Sequence, residues 1–139
     1  MSKNNGARSV NVTEAANFSP HARTNQELMA TGNLVTRMNC YEPGQSTPQH
    51  MHPNEDETLY VVEGSGSVTV EGDEALAIKT GDLIYLPAGR FHQIDAGSHE
   101  RMVLIYFMSP DYTSVRPDKN TLNPGTADQG IERLHGEKT

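Results

Sequence analysis

The stretch GQSTPQHMHPNEDETLYVVEG, residues 44–64, decides how the rest of this chain is interpreted. His50 and His52 lie two residues apart, so on an extended strand both imidazoles point to the same face. Glu57 follows them closely, where a turn can bring its carboxylate back beside the imidazoles. A second stretch, GDLIYLPAGRFH at residues 81–92, ends in His92 after a Pro/Gly turn that can start a strand facing the first. Three imidazole nitrogens and one carboxylate oxygen form a mixed donor set for a transition metal.

Both stretches resemble the signature motifs of the cupin superfamily. The first motif, G-x5-H-x-H-x4-E-x6-G, is met at every position, and the second, G-x5-P-x-G-x2-H-x3-N, departs only where Ala96 replaces the final Asn. The matching residues are Gly44, His50, His52, Glu57, Gly64, Gly81, Pro87, Gly89 and His92. The resemblance covers about residues 34–108 and implies an all-β fold, the cupin-type double-stranded antiparallel β-barrel or jelly roll. It also implies that the three histidines and the glutamate of the motifs bind one metal ion, but it implies no reaction, because one fold hosts many chemistries.

Charge and cysteine content limit the classes of partner and compartment. The 139 residues carry a net charge of −7, which disfavours nucleic acid and anionic membranes as partners. The lone Cys40 cannot form an internal disulfide, so the sequence predicts a buried thiol in a reducing, cytoplasmic setting. Polar residues follow Met1, so neither a signal peptide nor a membrane span is predicted.

The length predicts one domain, which we divide into an N-terminal arm (1–33), a cupin barrel (34–110) and a polar C-terminal tail (111–139). Short β-branched and aromatic runs between Gly, Pro and Asp turns indicate an antiparallel sandwich or barrel rather than βαβ units. The predicted strands cover residues 34–41, 58–62, 67–71, 75–78, 83–86, 91–95 and 102–108. We expect the N-terminal residues to form an arm or a short strand against the body, of this chain or of a neighbouring subunit, and the last ten residues to be disordered.

The donor set suits one divalent transition metal (Fe, Mn, Ni, Co, Cu or Zn) without selecting among them. An octahedral ion held by three imidazoles and a carboxylate keeps two positions open, which is typical of catalytic or ligand-binding sites. Glu57 is the candidate catalytic residue, because a carboxylate that detaches from the metal can act as a base. The neighbouring Glu55 and Asp56 are expected to face solvent. The remaining histidines are expected to lie on the solvated surface: His21, His99 and His135.

The leading functional hypothesis is dioxygenase-like oxidative chemistry on a small oxygen-containing or aromatic molecule. Metal-assisted lyase or isomerase chemistry uses the same ligands, and a non-catalytic module that binds a metal or small ligand is a further alternative. The expected partners are a small-molecule substrate and a second copy of the chain, since a small barrel leaves strand edges that natural proteins cover.

Overall fold

The computed structural model describes residues 6–117 and the backbone of residues 121–122, and nearly all of its regular structure is β-strand. The elements are α1 (Val12–Ala15), β1 (Thr24–Ala30), β2 (Val35–Tyr41), β3 (Ser46–His50), β4 (Glu57–Glu63), β5 (Ser65–Val70), β6 (Leu76–Lys79), β7 (Leu83–Leu86), β8 (His92–Ala96), β9 (Met102–Met108), β10 (Ser114–Val115) and β11 (Thr121–Leu122). Within the described ranges, no helix is long and apolar enough to cross a membrane.

Two antiparallel sheets build the body of the molecule. The larger has the strand order β1-β2-β9-β4-β7 and the smaller the order β3-β8-β5-β6, while β10 and β11 pair separately. The main core lies between the two sheets, where Leu59 and Leu104 of the larger meet Val68 and Ile94 of the smaller. The prediction of an all-β, double-stranded antiparallel barrel is confirmed.

Residue alternation determines which side chains enter the barrel. In β4, Glu57, Leu59 and Val61 are buried, whereas Tyr60 between them is exposed. This is the period-2 pattern of a strand with one face on a core. Because Glu57 shares the face of the two core residues, its carboxylate enters the barrel rather than solvent.

The N-terminal segment covers the outer face of the larger sheet. Met38, Cys40 and Val103 form a second apolar cluster there, against which Val12 and Phe18 pack. This cover explains why β2 is buried on both faces. The predicted burial of Cys40 is confirmed, with no exposed surface on this residue.

The predicted strand bounds agree best with the structure where the sequence is rich in hydrophobic residues. β7 and β9 have the predicted bounds, and the other predicted strands shift by a few residues at their ends. β1 lies in the N-terminal arm, where a short strand against the body was one expectation without bounds, and it pairs with β2. β3 was not predicted, because STPQH is too polar to be read as a strand. β3 contains Pro48 and is an edge strand, the position at which a sheet tolerates proline. The predicted disorder of the last ten residues lies outside the described residues.

Candidate metal centre

The two sheets bring the four predicted ligands to one end of the barrel interior. His50 ends β3 and is paired in register with His92, the first residue of β8. His52 lies two residues beyond β3, and its carbonyl accepts a 2.8 Å hydrogen bond from the backbone N–H of Gly89, in the turn before β8. Glu57 begins β4 in the opposite sheet. The Pro/Gly turn of the second motif therefore ties the two ligand segments together directly.

All four side chains are buried and close to one another. The three histidines are each 2% exposed and Glu57 is 3% exposed. Each histidine offers a ring nitrogen within 4.8 Å of those of the other two. Glu57 Oε1 lies 3.3 Å from His52 Nε2 and 3.5 Å from His92 Nε2.

Hydrogen bonds to two of the imidazoles indicate which nitrogen faces the centre. His50 Nδ1 donates to the carbonyl of Pro48 at 2.8 Å, and His52 Nδ1 donates to the carbonyl of Thr113 at 2.9 Å. A carbonyl oxygen can only accept, so both Nδ1 atoms carry the proton. The lone pair of each of these two rings is then on Nε2, the nitrogen that a metal would bind, and such outer hydrogen bonds are typical of metal-bound histidines.

The separations suit donors that share one ion. Two ligand atoms bound at about 2.1 Å each lie about 3.0 Å apart at a right angle and about 3.4 Å apart at a tetrahedral angle. The two Glu57 contacts, 3.3 and 3.5 Å, are close to this range. A divalent cation would also compensate the buried charge of Glu57, since a buried carboxylate needs a charged or hydrogen-bonding partner. The donor set therefore fits a transition metal.

The carboxylates and histidines that compete with these four residues as candidate metal ligands lie elsewhere. Asp56 is exposed and accepts hydrogen bonds from the Ala88 backbone N–H at 3.0 Å and from the Tyr85 hydroxyl at 3.3 Å. His21 and His99 are exposed and do not belong to the histidine cluster, as expected. Glu55 is half-buried, with its Oε1 out of contact with solvent, in contrast to the predicted solvent-facing position. His135 lies outside the described residues.

A buried polar chain on the inner face of the larger sheet was missed by sequence reasoning. Arg37 Nε donates to Asn25 Oδ1 at 2.5 Å, and Asn25 Nδ2 donates to Asn39 Oδ1 at 2.6 Å and to the Tyr106 hydroxyl at 2.8 Å. Asn39 in turn donates to the hydroxyl of Tyr41 at 3.2 Å. Arg37, Asn39 and Tyr41 alternate along β2, and this period was the available signal.

A second group of buried residues beside His52 was not predicted, and it lies in the segment assigned to the C-terminal tail. Tyr112 is 2% exposed and its ring meets that of His52 edge-on, with centroids 5.3 Å apart. Ser114 has no exposed surface, and its Oγ lies 3.0 Å from His52 Nδ1. A polar, proline-containing stretch gave no sign of burial, apart from the aromatic Tyr112 itself.

Comparison with protein families agrees with this architecture. The model of the cupin domain family matches residues 37–108, which include all four candidate ligands. The chain belongs to the cupin family. Among proteins of known fold, this cupin is similar to the protein TT1209 from Thermus thermophilus, with a TM-score of 0.69 at 22% identity over 73% of this chain and 96% of the other. An RmlC-like cupin from Desulfovibrio desulfuricans gives a TM-score of 0.68 at 22% identity, over 76% of this chain and 98% of the other. At such identities the likeness establishes the fold alone.

The cupin also has distant relatives with named activities. It is 28% identical to a gentisate 1,2-dioxygenase from a Ralstonia species over 112 residues, which are 74% of this chain and 31% of that enzyme. It is 33% identical to acireductone dioxygenase 1 from Vitis vinifera over 96 residues, which are 60% of this chain and 50% of that enzyme. The chain thus spans half or less of the length of these relatives.

Proposed function

We propose that this cupin binds one divalent transition metal through His50, His52, His92 and Glu57 and uses it for dioxygenase-like chemistry on a small oxygen-containing molecule. The observation that carries the proposal is the buried cluster of three imidazoles with a carboxylate oxygen 3.3 Å and 3.5 Å from two of their nitrogens. A bound ion would supply Lewis acidity and open positions for a substrate oxygen and O2. The protein residues would hold the ion, orient the ligand and exclude water.

Glu57 is the residue that we propose to move a proton. It is the one buried carboxylate in the part of the chain that the structure describes. Its position at the start of β4 sets it beside the ring nitrogens of His52 and His92. A carboxylate at this place can accept a proton from a substrate hydroxyl or carbon acid held at the centre.

The charges of the buried residues favour an anionic substrate. Arg23 is 1% exposed and Arg37 is 6% exposed, and a guanidinium cannot lose its proton in a protein. Arg37 Nη1 lies 3.8 Å from Glu27, an exposed residue, while the nitrogens of Arg23 have no hydrogen-bond partner among the described residues. Arg37 has Glu27 as a counter-charge, but Arg23 and a divalent ion together exceed the charge of Glu57, and buried charge requires compensation. A carboxylate-bearing substrate supplies it.

The named activities of two relatives support the oxidative version of this proposal. Both are dioxygenases, and gentisate is an aromatic carboxylate, in keeping with the charge argument. Because the chain spans only part of each relative, we take from them the type of reaction to test first and not the identity of the substrate.

Metal content and oxygen uptake test the proposal together. We expect wild-type protein to hold one ion per chain, His52→Ala to bind it much more weakly through the three remaining ligands and so to hold much less as isolated, and His99→Ala, which changes an exposed histidine, to retain it. Iron-loaded protein should consume O2 with at least one member of a panel of aromatic and enolic carboxylates that includes gentisate. Equal metal content in the two variants would contradict the ligand assignment. Stoichiometric metal binding with no oxygen uptake across the panel would contradict the oxidative proposal and favour a binding module.

A further inference from the structure

The chain leaves the barrel after β9 and returns to the candidate metal centre. The backbones of Met51 and Val115 exchange two hydrogen bonds, Met51 N–H to the Val115 carbonyl at 3.0 Å and Val115 N–H to the Met51 carbonyl at 2.8 Å. This antiparallel bridge fixes residues 112–115 beside the residue that separates His50 from His52. The buried segment therefore has a defined place next to the centre.

Three groups of this segment contact His52. The carbonyl of Thr113 accepts from Nδ1 at 2.9 Å, the Ser114 hydroxyl lies 3.0 Å from the same nitrogen, and the Tyr112 ring packs edge-on at an interplanar angle of 87°. His50, in contrast, donates to Pro48, a residue of its own strand. The orientation of His52 thus depends on residues 60 to 62 positions later in the chain, while that of His50 depends on β3 itself.

These contacts act on the imidazole in two different ways. A neutral imidazole has two tautomers, and only the one with its proton on Nδ1 presents a lone pair on Nε2. The Thr113 carbonyl selects this tautomer, because it can only accept a hydrogen bond. The Ser114 hydroxyl can adapt to either tautomer and accepts from Nδ1 in this one, so with the Tyr112 ring it sets the ring orientation instead. Together they direct His52 Nε2 toward the space that it shares with Glu57 Oε1, 3.3 Å away.

We propose that the segment Tyr112–Val115 is a positioning element for His52, and that the metal affinity of this cupin depends on it. The segment lies beyond residues 37–108, the part matched by the cupin domain model, so the ligand site is completed by residues outside that domain. This inference rests on the proposed function, because it assigns Nε2 of His52 to a metal. Removing an outer hydrogen bond to a ligating histidine typically lowers metal affinity about 10–100-fold.

The first measurement needs no metal. In nitrogen-15 spectra of the metal-free protein at a pH where imidazoles are neutral, His52 should carry its proton on Nδ1. A His52 that carries it mainly on Nε2 would overturn the inference, whether or not the protein binds a metal. This separates failure of the positioning element from failure of the proposed function, which would show as wild-type protein that binds no ion.

The second measurement is the zinc dissociation constant of matched variants. Ser114→Ala and Tyr112→Leu should each weaken binding about 10-fold or more, whereas Tyr112→Phe, which keeps the ring, should stay close to wild type. Thr24→Val is the control, since it removes a buried hydroxyl that donates to the Asn17 carbonyl, on the outer face of the sheet.

A double-mutant cycle distinguishes positioning from general destabilisation. If Ser114 acts through His52, Ser114→Ala should cause no further loss of zinc affinity in a His52→Ala background. Equal losses in the two backgrounds, or the same loss in Thr24→Val as in Ser114→Ala, would overturn the proposal.

Discussion

Replacing Gly64 by alanine is expected to be one of the most damaging single-methyl changes in this protein. Gly64 follows β4 with φ at 91°, a left-handed conformation that L side chains rarely adopt. An added Cβ would overlap the carbonyl oxygen of Arg101 and lie 2.9 Å from the Cα of Met102. Both neighbours are backbone atoms where the chain enters β9, so neither can rotate away.

Gly44 provides a matched control. It also has a positive φ, 81°, but an added Cβ there meets nothing within 4 Å. A left-handed conformation costs a non-glycine residue about 1–2 kcal/mol, and this cost is common to both substitutions. Forcing extra volume into a packed site costs about 1–3 kcal/mol more, and this applies to Gly64 alone. We expect losses of about 1–2 kcal/mol for Gly44→Ala and about 2–5 kcal/mol for Gly64→Ala.

Urea denaturation of the two variants beside wild type measures both losses. The free energy of unfolding comes from the linear dependence on urea, and an unchanged slope indicates that the same surface is exposed on unfolding. Losses of unfolding free energy that agree within the error of the method would refute the reasoning. They would mean that the close approach of the Arg101 and Met102 backbone to Gly64 contributes nothing beyond the strained φ.

Three further predictions concern ligand, thiol and assembly. Arg23→Gln should weaken binding of a carboxylate ligand about 10-fold or more, while Arg101→Gln on the surface should not; equal binding of the two variants in calorimetry would contradict a role for Arg23. Burial raises the pKa of the Cys40 thiol, so any stability this shift contributes is present below the ordinary thiol pKa of about 8.5 and is lost as pH rises past it toward the raised value. Iodoacetamide should accordingly label Cys40 only after denaturation, and rapid labelling of native protein would contradict this. We expect a homodimer, with Leu83 and Tyr85, 70% and 59% exposed, as the candidate contact; a monomeric mass by light scattering at micromolar concentration would argue against it.

The sequence predicted those parts of the fold whose signal is local. β7 and β9 are dense in β-branched and aromatic residues, and both have the predicted bounds. The candidate ligands could be identified because their spacing within two short stretches carries the information. His50 and His92 were predicted to face each other, and the register of β3 with β8 pairs them directly.

The parts of the fold and of the candidate site that the sequence did not predict depend on contacts between residues far apart in the chain. β1 is polar, and it forms a strand because β2 offers an edge and the polar inner face gives Asn25 its partners. The burial of Ser114 depends on a bridge to Met51, and its contact with His52 spans 62 positions. No hydrophobic period marks such residues, because their burial is stabilised by hydrogen bonds rather than by apolar packing.

Anomalous diffraction from crystals of the metal-loaded protein, collected at the absorption edge of the bound ion, tests the central claim most directly. We predict one strong peak per chain, bonded to Nε2 of His50, His52 and His92 and to Oε1 of Glu57, at about 2.0–2.2 Å. A peak at exposed histidines such as His99, or an ion that leaves Glu57 or any of the three imidazoles unbound, would contradict it.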